Sequence, residues 1–128
     1  MIGEKSVRVV FSLGSDCGDR EASVAKGISW LRNILGGCRV SSIYATPDCH
    51  GGFKEYMNAV VSGYTDLSAS RLEAMCKEFE VECGRTPECR AKGDVPIDVD
   101  IVIYDGKILR ERDYAQEFFR IGMREIQI

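Results

Sequence analysis

The apolar pattern of this chain switches back and forth between a period of two residues and one of about 3.6. Residues 7 to 13, "VRVVFSL", place Val7, Val9, Phe11 and Leu13 on one face of a strand and Val10 on the other, as in a central strand covered on both sides. A helix follows from about 19 to 35, its stripe made by Val24, Ile28, Leu31 and Leu35, with Gly36-Gly37 as the stop. Residues 39 to 45, "RVSSIYA", read as a second strand, "TPDCHGGFKE" as a loop, and 56 to 64, "YMNAVVSGY", as a third strand. A second helix buries Leu72, Met75, Cys76, Phe79 and Cys83 and stops at Gly84; Ser70 with Glu73 offers a capping box, with Asp66 and Ser68 as alternative caps. Residues 85 to 94, "RTPECRAKGD", read as a polar loop before a last strand and a hairpin at "YDGKIL", where Asp105-Gly106 is the turn signal. The tail "RERDYAQEFFRIGMREIQI" is open between a helix and an irregular end. Strand, helix, strand, strand, helix, strand is the ferredoxin-like βαββαβ order, an α+β fold whose antiparallel sheet carries its helices on one face.

With 128 residues, 45% hydrophobic and 29% charged, residues 1 to 128 are expected to form one domain. A net charge of -3 gives no global reason to expect nucleic acid or an anionic membrane as partner. The apolar runs fall far short of a bilayer span and "MIGEKSVRVV" lacks a signal-peptide pattern, so a cytoplasmic protein is expected. Cys17, Cys38, Cys49, Cys76, Cys83 and Cys89 include no C-x-x-C pair, and His50 is the one histidine. Reduced thiols are the reading, with Cys76 on a helix stripe and a Cys83–Cys89 pairing not demanded.

The last strand, "VPIDVDIVIYDG" at 95 to 106, carries the chemistry. Alternation turns Ile97, Val99, Ile101 and Ile103 one way and Asp98, Asp100 and Val102 the other. The two acids share a face about 6.6 Å apart, close enough to hold one hard cation or a pair. The plainer alternative is a pair of solvent-facing acids on an edge strand, where like charges repel unless a cation or water screens them.

Five segments, "FSLGSDCGDR" (11–20), "SSIYATP" (41–47), "EYMNAVV" (55–61), "EFEVECGR" (78–85) and "IDVDIVIYDGKIL" (97–109), resemble in order successive motifs of the 6-hydroxymethyl-7,8-dihydropterin pyrophosphokinase family. The resemblance implies a ferredoxin-like fold and transfer of pyrophosphate from ATP to the pterin hydroxymethyl oxygen in folate biosynthesis, with release of AMP and two Mg2+ ions. It makes Asp98 and Asp100 the metal-bridging acids, and Asn58 the amide that pairs with the pterin edge. Tyr56 becomes a substrate-side aromatic, Thr46 and Pro47 the start of the pterin loop, and Glu80 and Arg85 groups near ATP. Asn58 could instead satisfy a strand-end backbone group, Tyr56 could be core, and Glu80 lies on a charged helix face.

Departures accompany the likeness. "AKGDVPID" puts Val95 where the family has an arginine, leaving Arg90 and Lys92 as candidates to replace its charge at the ATP phosphates. Asp48 stands where a second proline is usual. No histidine follows His50, and the family's Arg-x-Phe element is approximated at best by Arg124 with Phe118 or Phe119. A non-catalytic pterin- or nucleotide-binding protein on the same scaffold is therefore the alternative, with a pure interaction domain a distant third. The apolar tail could dock on its own sheet or on a second copy, so a homodimer is open.

Overall fold

In the computed structural model, residues 5–47 and 54–127 are described. The readings at Asp48, Cys49 and His50 lie outside them. The elements run β1 (Val7–Ser15), α1 (Arg20–Ile34), β2 (Gly36–Val40), β3 (Tyr44–Pro47), β4 (Glu55–Thr65), α2 (Ala69–Glu82), α3 (Pro87–Lys92), β5 (Asp98–Tyr104), β6 (Lys107–Ile108), α4 (Glu111–Tyr114) and α5 (Glu117–Ile126). The strands form one sheet in the order β2-β4-β1-β5-β6, with β3 beside β4 beyond β2, and every pairing is antiparallel. Taking β2 and β3 as one interrupted strand, this is the expected ferredoxin-like α+β arrangement. Among the described residues no helix is long and apolar enough to cross a membrane.

The interruption has a cause in register. Val40 pairs with Val61 and Tyr44 with Asn58, so four steps on this strand face three on β4. One extra residue is a bulge, and it flips the alternation. Val40 lies on the α1/α2 side with Val61, whereas Tyr44 turns to the opposite side and bonds to α5. Gly36-Gly37 does not cap α1 as expected. The helix ends at an extended Leu35, Gly36 already pairs with Tyr64, and Gly37 takes φ 56 inside a second register shift. A third shift falls on β5: Val10 pairs with Ile103 and Phe11 with Ile101, leaving Val102 as the extra residue. Ile103 consequently joins Val10 and Val102 rather than the face of Ile97, a correction to simple alternation.

Three local signals resolve as follows. Ser68, not the Ser70/Glu73 box, caps α2 by accepting from Arg71 N at 3.2 Å. Residues 85–94 are not all loop, because Thr86 accepts from Cys89 N at 3.2 Å, Pro87 opens a helical turn and Gly93 at φ 73 closes it. Asp105 and Gly106 adopt φ 50 and 79, the left-handed pair that a two-residue hairpin requires.

Two cores flank the sheet. On one side Val9, Phe11, Leu13, Ala59, Val61, Ile97, Val99 and Ile101 meet Val24 and Leu31 of α1 and Leu72, Cys76 and Phe79 of α2, with Trp30 stacked on Phe79 at 4.5 Å. On the other, Val10, Val60 and Val102 meet Phe119 and Ile126 of α5. The tail is thus helical and docks on its own sheet, adding a layer opposite the two helices of the βαββαβ unit. Gly122 makes that docking close: a Cβ there would stand 2.4 Å from Val60 Cγ2.

Candidate active site

Register across four strands places Asp98 beside Gly14, Gly14 beside Asn58 and Asn58 beside Tyr44, in one row on the α5 side of the sheet. The next row puts Asp100 beside Ser12. Residues in a row share a face, so the acids and the amide flank a bare glycine. A Cβ on Gly14 would lie 3.5 Å from Tyr56 Cδ2 and 3.6 Å from Asn58 Oδ1, which makes Gly14 an open stretch of floor. Above it is a cavity of about 180 Å3 whose lining includes Gly14, Thr46, Pro47, Tyr56, Asn58, Asp98, Asp100, Arg110, Asp113 and Phe118.

Asn58 is 3% exposed. Its Nδ2 donates to Thr46 Oγ1 at 2.7 Å, Tyr56 O at 3.2 Å and Tyr44 O at 3.3 Å, so the amide nitrogen fixes the end of β3. Its oxygen is the group turned toward the floor at Gly14. Phe118 is set by a clamp: the Tyr44 hydroxyl donates to Phe118 O and accepts from Gly122 N at 3.0 Å. Those are two groups that a regular helix joins directly. Burial pushes the Tyr44 hydroxyl up to about 12, so it stays a donor. Phe119, the other candidate for the wall, is 0% exposed in the core.

The acids form a cluster. Carboxylate oxygens of Glu80, Asp98 and Asp100 lie within 4.8 Å of one another. Glu80 reaches them because β6 pairs with β5 only at Ile103 and Tyr104, which leaves the outer edge of β5 open near the acids. There Glu80 Oε2 accepts from Val99 N at 2.8 Å. Arg85 Nη1 donates to Glu80 Oε1 and to Asp98 Oδ1, both at 2.9 Å. Burial, then the charge of Asp98, pushes Asp100 up to about 8. Burial also raises Glu80. Asp98 moves down: burial opposes it, but hydrogen bonds from Asp100 and Arg85 hold it below the usual carboxylate range. The two aspartates therefore share one proton. Hard oxygen donors with excess negative charge suit Mg2+, which would take the place of that proton.

Arg90 and Lys92 stay outside this cavity. Arg90 is exposed along a separate groove with Glu80 and Arg85, and Lys92 is exposed at the end of α3. Arg124 pairs with Glu117 at 3.3 Å. Val95 is held beside β1 by a reciprocal pair, Val95 N to Asp16 Oδ1 at 2.7 Å and Asp16 N to Val95 O at 3.0 Å. Sequence reasoning missed Arg110 and Asp113. They follow a turn whose sequence was legible, but "RERDY" has no periodicity to mark it. Arg110 Nη1 stands 3.8 Å from Asp100 Oδ1, and its Nε donates to Asp113. A second cavity of about 300 Å3 lies along the open edge of β5, lined by Lys77, Val99, Ile101 and Leu109 and sharing Asp100 and Arg110 with the first.

The 7,8-dihydro-6-hydroxymethylpterin-pyrophosphokinase family model matches residues 10–128. A 2-amino-4-hydroxy-6-hydroxymethyldihydropteridine pyrophosphokinase of Aquifex aeolicus is 30% identical over 107 residues, 81% of this chain and 65% of the relative. A folate synthesis bifunctional protein of Arabidopsis thaliana is 30% identical over 98 residues, 75% of this chain and 20% of the relative. The chain thus spans less than two thirds of the length of either.

Proposed function

The chain belongs to the 7,8-dihydro-6-hydroxymethylpterin-pyrophosphokinase family, and from that premise we propose that it transfers pyrophosphate from ATP to 6-hydroxymethyl-7,8-dihydropterin in folate synthesis. The observation that carries the reading is the row Asp98–Gly14–Asn58, which with Asp100 in the next row sets two acids and a buried amide around one cavity.

The pterin ring lies over Gly14 with its edge toward Asn58 and Thr46, between the side chains of Tyr56 and Phe118. A flat heterocycle suits this slot, because aromatic walls bury its faces while an amide oxygen meets its N–H groups. ATP approaches along the open edge of β5, so its phosphates and the hydroxymethyl group converge at Asp98 and Asp100. These two residues would hold the two Mg2+ ions expected for the reaction. When bound, Mg2+ neutralises phosphate charge and orients the transferred group. The hydroxymethyl oxygen attacks the β-phosphorus and gives its proton to solvent water. The bond from that phosphorus to the α,β-bridging oxygen breaks, and its electron pair leaves with AMP. Arg85, bound to Asp98 and Glu80, fixes the orientation of the first acid. A cytoplasmic setting supplies ATP and suits the free thiols of Cys17, Cys38, Cys76, Cys83 and Cys89.

The test is AMP formation with ATP, the pterin and Mg2+. Release is expected to need all three, and Asp98→Ala or Asp100→Ala should lower it by roughly 100-fold or more with the fold retained. Full activity in either variant would remove the metal assignment. Pterin binding without AMP release by the wild-type chain would favour a pterin-binding protein on this scaffold, a reading to which the valine at position 95 lends weight.

A further inference from the structure

Helix α5 covers the sheet around Val10, Val60 and Val102 but ends at Ile126, and the same face continues beyond it. There β2, β4 and β1 carry two paired rows, Gly36–Tyr64–Arg8 and Arg39–Ser62–Val10. Arg39 reaches this face through the register shift at Gly37. Three steps from Gly36 to Arg39 face two from Tyr64 to Ser62, and the extra residue flips the alternation. Regular pairing would turn Arg39 toward the α1/α2 core, where Cys38 packs instead.

Arg8 and Arg39 thus flank β4 from either side, two strand spacings or about 10 Å apart across the sheet. Between them lies a cavity of about 460 Å3, lined also by Ser62, Tyr64, Ile126 and Gln127. Among the described residues no carboxylate lines it, and neither arginine has an ion-pair partner. Arg39 Nη1 donates to Ile126 O at 3.3 Å, which leaves its Nε and Nη2 for an acceptor. The side chain of Arg8 makes no hydrogen bond among the described residues. Ser62 is 2% exposed, and its hydroxyl has no partner among them either. No fully buried side-chain oxygen there lacks a partner, so the Ser62 hydroxyl is the part of that residue that reaches the cavity.

We propose that this cavity binds the phosphate group of a small molecule, held between Arg8 and Arg39 with Ser62 as a hydroxyl donor. Two guanidiniums without a carboxylate match a phosphate, which carries close to two charges at neutral pH, better than a carboxylate with one. Their planar forks also meet two phosphate oxygens at once. The volume falls within the range of small-molecule sites and leaves room for more than the phosphate itself. Arg8 lies about 20 Å along β1 from Gly14, so the inference does not rest on the reaction proposed above.

The experiment follows amide NMR signals of the full chain as inorganic phosphate is added without Mg2+. Signals of Gly37, Ser62 and Gln127 should move together. Arg8→Ala should weaken phosphate about 10- to 100-fold, the range for losing a charge-assisted hydrogen bond, and leave Tm and AMP formation unchanged because Arg8 is exposed and remote. Ser62→Ala should cost less, since a neutral donor is lost. Arg71→Ala, an exposed arginine on α2, should change nothing. Acetate should bind about tenfold more weakly than phosphate. Ribose 5-phosphate serves as a third probe: tighter binding than phosphate identifies an ester as the ligand and equal binding the free ion, and either supports the site. Signals that stay still at millimolar phosphate, or that move only at Gly14 and Asn58, would overturn it. Equal losses in Arg8→Ala and Arg71→Ala would reduce the effect to overall charge, and acetate binding as tightly as phosphate would overturn the choice of phosphate.

Discussion

Gly122→Ala separates helix propensity from packing, because the two predict opposite signs. In an unconstrained helix the change stabilises by about 1 kcal/mol. Here the new Cβ would meet Val60 Cγ2 at 2.4 Å, Val60 Cβ at 2.7 Å and the Tyr44 hydroxyl at 2.8 Å. Carbon contacts are optimal near 3.5 to 4.0 Å, so the overlap is about 1 Å. Val60 cannot yield: it is 0% exposed, β-branched, and in a strand paired on both sides. Helix α5 must therefore lift, loosening Phe119 and Ile126. Overpacking of this kind costs ~1–3 kcal/mol, and a clash with a fixed strand belongs at the upper end. The net expectation is a loss of roughly 1–2 kcal/mol, or about 4 to 10 °C in Tm for a domain of this size. Urea and thermal unfolding measure it directly, and pterin affinity should fall in parallel because Phe118 moves with the helix. A variant as stable as the wild type, or more so, would refute the close seating of α5.

Two further outcomes follow from the site. Asp100 is pushed up to about 8 in the fold, above its unfolded value near 3.9, so the folded state holds a proton the unfolded chain has lost. The resulting stability is full below the unfolded value and is lost as pH rises toward 8; Glu80, also raised, acts in the same direction. The Tm of the metal-free chain should thus fall between pH 5.5 and 8, with saturating Mg2+ reducing the drop; a rise in Tm over that interval without metal would contradict the shared proton. Gly14→Ala places a methyl at ordinary contact distances of 3.5 and 3.6 Å, so Tm should hold within a few degrees while pterin affinity drops. Unimpaired pterin binding in that variant would show that the ring does not lie over Gly14.

The sequence by itself determined what depends on neighbours along the chain. Asp98 and Asp100 share a face because side-chain alternation is a property of two residues. Asp105-Gly106 makes its turn because left-handed backbone is a local preference. The motifs that named Thr46, Pro47, Tyr56, Asn58 and the two acids as site residues also brought out the groups that the fold gathers around one cavity. Only the tertiary structure decided the bulges. The extra residues at Val102 and between Val40 and Tyr44 are extra only relative to a partner strand, and they turn Ile103 and Tyr44 to faces that counting along the chain would not assign. It also decided that Phe118 rather than Phe119 lines the cavity, and that Arg110 rather than Arg90 or Lys92 meets the acids there. Those outcomes depend on how a short hairpin and a terminal helix dock onto a sheet, through contacts between residues far apart in sequence, and no local periodicity encodes such contacts.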